Sequence, residues 1–209
     1  METQFRLSRK ALEKEARKQD ILDAAARLFS ARGFHEVTVD QVAEEVGLSK
    51  GTLYLYFENK DDLFHTIVVQ KTQSLLRGLK EAAECTRPFA ESLHDVVRAH
   101  CLFYQENVAY FRIMHSEMTR MSAESHLRLH QYAAKTFQMH IAILSGLVKR
   151  GQTEGILRQG DPLSLVKALG GILNSYVSHH VFAPSESPPS DHVEQIVDLY
   201  LHGAANRGS

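Results

Sequence analysis

The stretch Thr38-Val39-Asp40-Gln41-Val42-Ala43-Glu44-Glu45-Val46-Gly47-Leu48-Ser49-Lys50-Gly51-Thr52-Leu53-Tyr54-Leu55-Tyr56-Phe57 decides how this chain folds. The Thr38 hydroxyl is placed to cap the free backbone amides of a helix start, and Gln41 stands three residues on, the spacing of a capping box. Val39, Val42, Ala43 and Val46 then recur at helical intervals and predict a buried stripe. Gly47 reads as the stop and Ser49 as the N-cap of a second short helix, so the connection is a tight three-residue turn. Val42, Ala43, Val46, Leu48, Leu53 and Phe57 are expected in a small core. Two short helices joined this way can present the second to the major groove of DNA, although the spacing alone also fits the αα-corner of many helical proteins.

Outward from this stretch the pattern stays helical. Ile21, Leu22, Ala25, Leu28 and Phe29 mark one face of a first helix, about Lys10 to Arg32, ended by Gly33. Asn59, followed by Asp61 and Asp62, starts a long fourth helix running to about Glu84. Further helices are expected near 89–105, 107–118, 123–152, 162–181 and 190–205, with Asp161-Pro162 a strong start signal and Gly151 and Gly155 marking the end before it. The proline-rich run Pro184 to Ser190 reads as a loop. No stretch keeps the alternation of a half-buried strand, so the fold is expected to be all-α. The break between an N-terminal unit and the rest is expected at 60/61, giving domains 1–60 and 61–209.

The chain has 209 residues, of which 44% are hydrophobic and 23% charged, the range of a folded globular protein. The net charge of −1 carries no global signal for nucleic acid. Basic residues do cluster locally: between Arg6 and Lys18 the basic residues Arg6, Arg9, Lys10, Lys14, Arg17 and Lys18 face only two acidic ones, Glu13 and Glu15. Alone, such a run reads first as a solvated helix face or a frayed tail. Cys85 and Cys101 form no metal-ligand or disulfide pattern, and nothing reads as a signal peptide or as the ~20 apolar residues of a membrane span. A cytoplasmic protein without a membrane partner is expected.

The run from Thr38 to Phe57, continued by Glu58-Asn59-Lys60-Asp61-Asp62-Leu63, closely resembles the DNA-binding signature of the TetR/AcrR repressor family. Ile21-Leu22-Asp23-Ala24-Ala25, Leu28-Phe29 and Gly33-Phe34 resemble that family's first helix. The resemblance covers roughly residues 15–65. Beyond it the chain matches only in length and helical character. It implies an N-terminal three-helix helix-turn-helix domain and a C-terminal helical domain for effector binding and dimerisation, about nine helices in all. The implied function is a ligand-responsive regulator that binds a palindromic double-stranded operator as a homodimer and is released by a small molecule.

On this reading Thr38, Ser49 and Lys60 meet phosphate, Lys50, Gly51 and Thr52 form the leading edge of the recognition helix, and Tyr54 and Tyr56 touch backbone or base edges. Thr38 and Ser49 would cap helices in any protein, and Tyr54 also fits plain packing. The resemblance further implies a four-helix dimer interface from the last two helices. Ala168, Gly170, Gly171 and Ser175 suit close approach there, and Val193, Ile196, Val197, Tyr200 and Leu201 form an apolar stripe that reads alternatively as intramolecular core.

Phe103, Tyr104, Tyr110, Phe111, Met114, Met118, Phe137, Met139 and Tyr176 are candidates to line an effector pocket, though aromatic and methionine side chains at helical spacing pack cores more often. Twelve histidines are many for this length. His126 and His130 have the spacing to grip a metal on one helix face, and His94, His100, His115, His140 and His179-His180 could add ligands. A metal-responsive repressor and a helical interaction protein without DNA binding are the alternatives. No catalytic motif, metal site or cofactor is expected.

Overall fold

A computed structural model describes residues 2–84, 86–108, 110–112, 123–183 and 187–204, and is helical with no strand among them. The helices are α1 (Glu2–Arg32), α2 (Val39–Glu45), α3 (Lys50–Leu53), α4 (Lys60–Ala83), α5 (Phe89–Glu106), α6 (Ala123–Thr153), α7 (Pro162–Phe182) and α8 (Val193–Ala204). A 3-10 turn, Pro189–His192, leads into α8. Helical backbone also occurs at 108 and 110–112; the rest of the helix expected to 118 lies outside the described residues, as do Met114, Met118, His115 and Cys85. The first helix begins well before the expected Lys10. Between Glu2 and Lys10 there is no glycine or proline to interrupt it.

The chain divides into two compact units: α4 is cut between Gln70 and Lys71, and the start of α6, to His126, groups with the first unit. In the first unit α1, α2, α3 and the start of α4 enclose a small core. Ile21, Leu22, Ala25, Phe29, Phe34, Val42, Ala43, Leu53, Phe57, Leu63, Phe64 and Ile67 are all buried in it. The rings of Phe29, Phe34 and Phe64 meet pairwise at centroid distances of 5.2, 6.1 and 5.1 Å, in tilted and edge-on geometries. Leu48 and Val46, expected in this core, sit only half-buried at its margin.

The turn at the centre of this unit follows from its residues. Thr38 Oγ1 accepts the Gln41 amide at 3.2 Å while Gln41 Oε1 accepts the Thr38 amide at 2.9 Å, completing the capping box. At the other end of α2 the Gly47 amide bonds the Glu44 carbonyl at 3.0 Å and the Leu48 amide bonds the Ala43 carbonyl at 2.8 Å. That pair of bonds is a Schellman motif, which requires the left-handed backbone Gly47 adopts at φ +66°. Ser49 then caps α3, its Oγ accepting the Thr52 amide at 3.2 Å.

In the second unit α5 packs against α7, α8 and the 3-10 turn, and α7 packs against α8. Leu93, Val96, Val97 and Cys101 of α5, Leu144, Leu147 and Val148 of α6, Leu165, Leu169 and Leu173 of α7, and Val193, Ile196 and Tyr200 of α8 share one core. Pro88 has no side-chain group to cap α5; the Phe89 amide donates instead to Glu154 Oε2 at 3.0 Å, from beyond the end of α6. Arg150, whose Nε lies 3.7 Å from Glu154 Oε1, donates through Nη1 to the Ala83 carbonyl at the end of α4. One acid–base pair thus satisfies orphan groups at the ends of two other helices.

Candidate nucleic-acid interface and sensor cavity

The first unit presents α3 on its surface, with Lys50, Gly51, Tyr54 and Leu55 exposed and Leu53 alone turned inward. Lys50 Nζ lies 2.8 and 2.9 Å from the two oxygens of Asp40, an ion pair joining α3 to α2. The hydrogen bond and charge of that carboxylate raise the Lys50 pKa, so the exposed ammonium stays protonated. Ser49 Oγ and Thr52 Oγ1 lie 2.8 Å apart. Tyr56 is half-buried, with Lys14 Nζ at 6.0 Å from its ring, and Lys18 Nζ lies 5.9 Å from the Phe57 ring. From Arg9 to Arg17 the helix is exposed, and Lys14 and the half-buried Lys18 run beside the end of the helix-turn-helix. Leu55, 77% exposed, is a surface apolar group that the sequence did not mark for function; its only signal was its place between two core positions, Leu53 and Phe57.

Lys60 is placed differently from its neighbours. Its ammonium donates to the carbonyls of Phe34 at 2.8 Å, Val37 at 3.0 Å and His35 at 3.4 Å, and lies 4.4 Å from the centre of the Phe34 ring. The start of α4 is thereby tied to the connection between α1 and α2.

The second unit contains a cavity of about 390 Å³ lined by α5, α6 and α7. Of the aromatic residues expected at an effector pocket, Tyr104 and Phe137 line it. Phe103, Tyr110 and Phe111 cluster beside Tyr104, and Tyr176 lies against the core and the His192 ring at 5.3 Å. The polar lining comes from His100, His140, Lys167 and Asn174, which the aromatic pattern of the sequence does not single out. Phe111, Tyr104, His100 and His140 form a column of stacked rings, with successive centroids 4.1, 4.9 and 5.5 Å apart and planes within 27°. Burial, reinforced by repulsion from His140, lowers the His100 pKa to about 3; burial lowers that of His140 as well. Burial likewise raises the Tyr104 and Tyr110 hydroxyls.

As metal ligands His100 and His140 fare less well. They are stacked ring on ring, and no group of three His, Cys, Asp or Glu side chains suited to a metal ion occurs among the described residues. The last-helix stripe belongs to the chain's own core: Val193, Ile196 and Tyr200 are buried there, with Val197 and Leu201 packed against it. Ala168, Gly171 and Ser175 are exposed, whereas Gly170 lines the cavity. No helix among the described residues is long and apolar enough to cross a membrane.

A capped helix, a Schellman turn and an exposed four-residue helix flanked by lysines define a helix-turn-helix DNA-binding unit. The family model "Bacterial regulatory proteins, tetR family" matches residues 21–67, within this unit. The fatty acid metabolism regulator protein of Bacillus subtilis is 25% identical over 160 residues, covering 75% of this chain and 79% of that one. The TetR-family regulator PfmR of Thermus thermophilus superposes with a TM-score of 0.70 at 25% identity, over 87% of this chain and 97% of its own. The regulator FadR of Bacillus subtilis, solved in complex with stearoyl-CoA, gives a TM-score of 0.74 at 21% identity, over 88% and 98%. Residues 21–67 thus match the DNA-binding region of TetR-family regulators, and most of the chain is similar in sequence and fold to transcriptional regulators of that family.

Proposed function

We propose that the protein is a repressor that binds a palindromic operator as a homodimer and releases it when a small molecule occupies the second unit. The observation that carries the DNA reading is the exposed face of α3 and its C-cap, with Lys50, Gly51 and Tyr54 exposed and Thr52 half-buried, held by a capped turn beside the lysines of α1. So short a recognition helix buries little surface, so specific affinity calls for two copies on paired half-sites. On α7 and α8 the exposed Leu163, Ala168, Gly171, Ser175 and Leu199 support a face for the second copy. Thr38, Ser49 and Tyr56 complete the phosphate-facing set, while the contribution of Lys60 is to hold the unit's shape.

The cavity supports the effector reading: its volume is in the range of small-molecule sites, and its walls are apolar with a few polar groups. A relative with this fold was solved with stearoyl-CoA, which is in keeping with such a lining. Release requires that the effector bind the DNA-incompetent state better, by about 1–3 kcal/mol for a roughly 5- to 150-fold loss of operator affinity. Fluorescence anisotropy on operator DNA selected from random duplexes tests the first half. One two-fold symmetric site with a salt-dependent affinity supports it, and binding that ignores sequence defeats it.

A further inference from the structure

We propose that the cavity of the second unit takes an amphipathic molecule whose apolar body ends in an oxygen head, a carboxyl or acyl carbonyl group, received by the paired imidazoles of His100 and His140. The inference rests on the reading of this unit as the sensor, and names the chemical class it senses.

Two observations carry it. The first is an unmet hydrogen-bonding demand: His100 Nδ1 and His140 Nε2 are both buried and have no partner among the described residues, although both side chains line the cavity. His100 itself is 6% exposed. A buried ring nitrogen without a partner costs free energy, and a ligand atom that satisfies it recovers that cost. A neutral imidazole nitrogen is a donor or an acceptor according to tautomer, and a small turn of each ring is what brings its unpartnered nitrogen to a ligand in the cavity. Together they match a carbonyl that accepts two N–H groups, or a carboxylic acid that accepts one and donates one.

The second observation is the sign of the lining. Ile141, Leu144, Val166, Val177 and Phe137 give an apolar wall, Lys167 adds a cation, and none of the described lining residues is acidic. A cationic head would meet an ammonium and no carboxylate, and burying a charge without a counter-charge is costly. The ring faces of His100 and Tyr104 that would attract a cation are already stacked on one another in the column. Apolar body, neutral or anionic oxygen head and no positive charge are thus selected together.

Calorimetric titration of the full-length protein with decanoic acid, methyl decanoate and decyltrimethylammonium tests the class directly. The acid and the ester are expected to saturate, with the cation at least about tenfold weaker. His100→Phe and His140→Phe keep a ring in the column but remove the nitrogen, and each is expected to weaken methyl decanoate by about tenfold. His100→Asn and His140→Gln, which return a polar atom near Nδ1 and Nε2, are expected to recover most of the loss. Melting curves accompany each variant, and His140, less buried than His100, serves if the His100 variants do not fold. A cation that binds as well as the ester, failure of every probe to bind, or Phe variants that bind like wild type overturns the proposal. Operator affinity with and without methyl decanoate is a separate readout. If the ester binds through the histidines but leaves operator affinity unchanged, the ligand class stands and the effector-release reading falls.

Discussion

The Lys60 ammonium holds Phe34 twice, through its carbonyl oxygen at 2.8 Å and over its ring at 4.4 Å. A cation in the first turn of a helix is opposed by the macrodipole, and here the carbonyls of Phe34, His35 and Val37 offset that opposition. Lys60→Met is therefore expected to destabilise the first unit by about 1–3 kcal/mol, because it strips a charged donor from part-buried acceptors. Thermal melts check this, and operator binding measured well below the melting temperature should change far less than stability does. A variant that melts like wild type yet loses operator affinity would assign Lys60 to phosphate.

Two glycines should respond to alanine for different reasons. At Gly47 a Cβ meets nothing within 4 Å, but φ is +66°, so Gly47→Ala carries a backbone cost of about 1–2 kcal/mol. At Gly151 a Cβ would lie 2.7 Å from the Phe89 ring and 2.9 Å from Leu157, so the cost there is overpacking, about 1–3 kcal/mol. Denaturant unfolding of the two variants checks both. Trimming Phe89 to leucine alongside Gly151→Ala should recover part of the loss, whereas no side-chain change rescues Gly47→Ala.

Removing residues 1–10 should flatten the dependence of log operator affinity on log salt, since fewer counterions are released when fewer cations approach the phosphates. Arg9 is partly neutralised by Glu13 at 2.9 Å, so the deletion should count for fewer charges than its composition suggests. Tyr56→Phe should weaken binding about equally on all operator sequences, as loss of a phosphate contact does. An unchanged salt slope would make the segment a solvated helix face.

Acid should destabilise the second unit through its histidine pair. The folded protein holds His100 neutral down to about pH 3, whereas the unfolded chain takes up the proton near the ordinary imidazole value of about 6.5. Below that value the unfolded state binds more protons, so stability is fully present above pH ~6.5 and falls as pH drops toward 3, by up to ~1.4 kcal/mol per pH unit for His100, with His140 acting in the same direction. Urea unfolding at pH 7 and pH 5 measures this. His100→Phe should lose less stability between the two than wild type, and an equal loss would remove the pair as the cause.

Much of the first unit was legible because its signals are local. Thr38 with Gln41, Gly47, and Ser49 with Thr52 each act within a few residues, and the structure closes those bonds as their spacing implies. What escaped depends on contacts distant along the chain. Nothing near Lys60 announces that carbonyls more than twenty residues earlier will receive it. Periodicity showed that Val193, Ile196 and Tyr200 face something apolar, but not that this is the α5 side of the chain's own core. His100 and His140 suggested metal because their residue type is visible and their packing is not; α5 and α6 bring them into a stack with Tyr104 and Phe111.

The helix α3 is four residues long and buries Leu53 alone. Its outward positions carry almost none of the core, since the turn is held by Gly47 and the caps by Thr38 and Ser49. Lys50, Gly51, Tyr54 and Leu55 are thus spelled independently of the scaffold beneath them. On the function proposed above, a lineage can rewrite which promoters it answers to by changing those few letters, at little risk to folding, while the cavity in the other unit drifts toward new signals on its own clock.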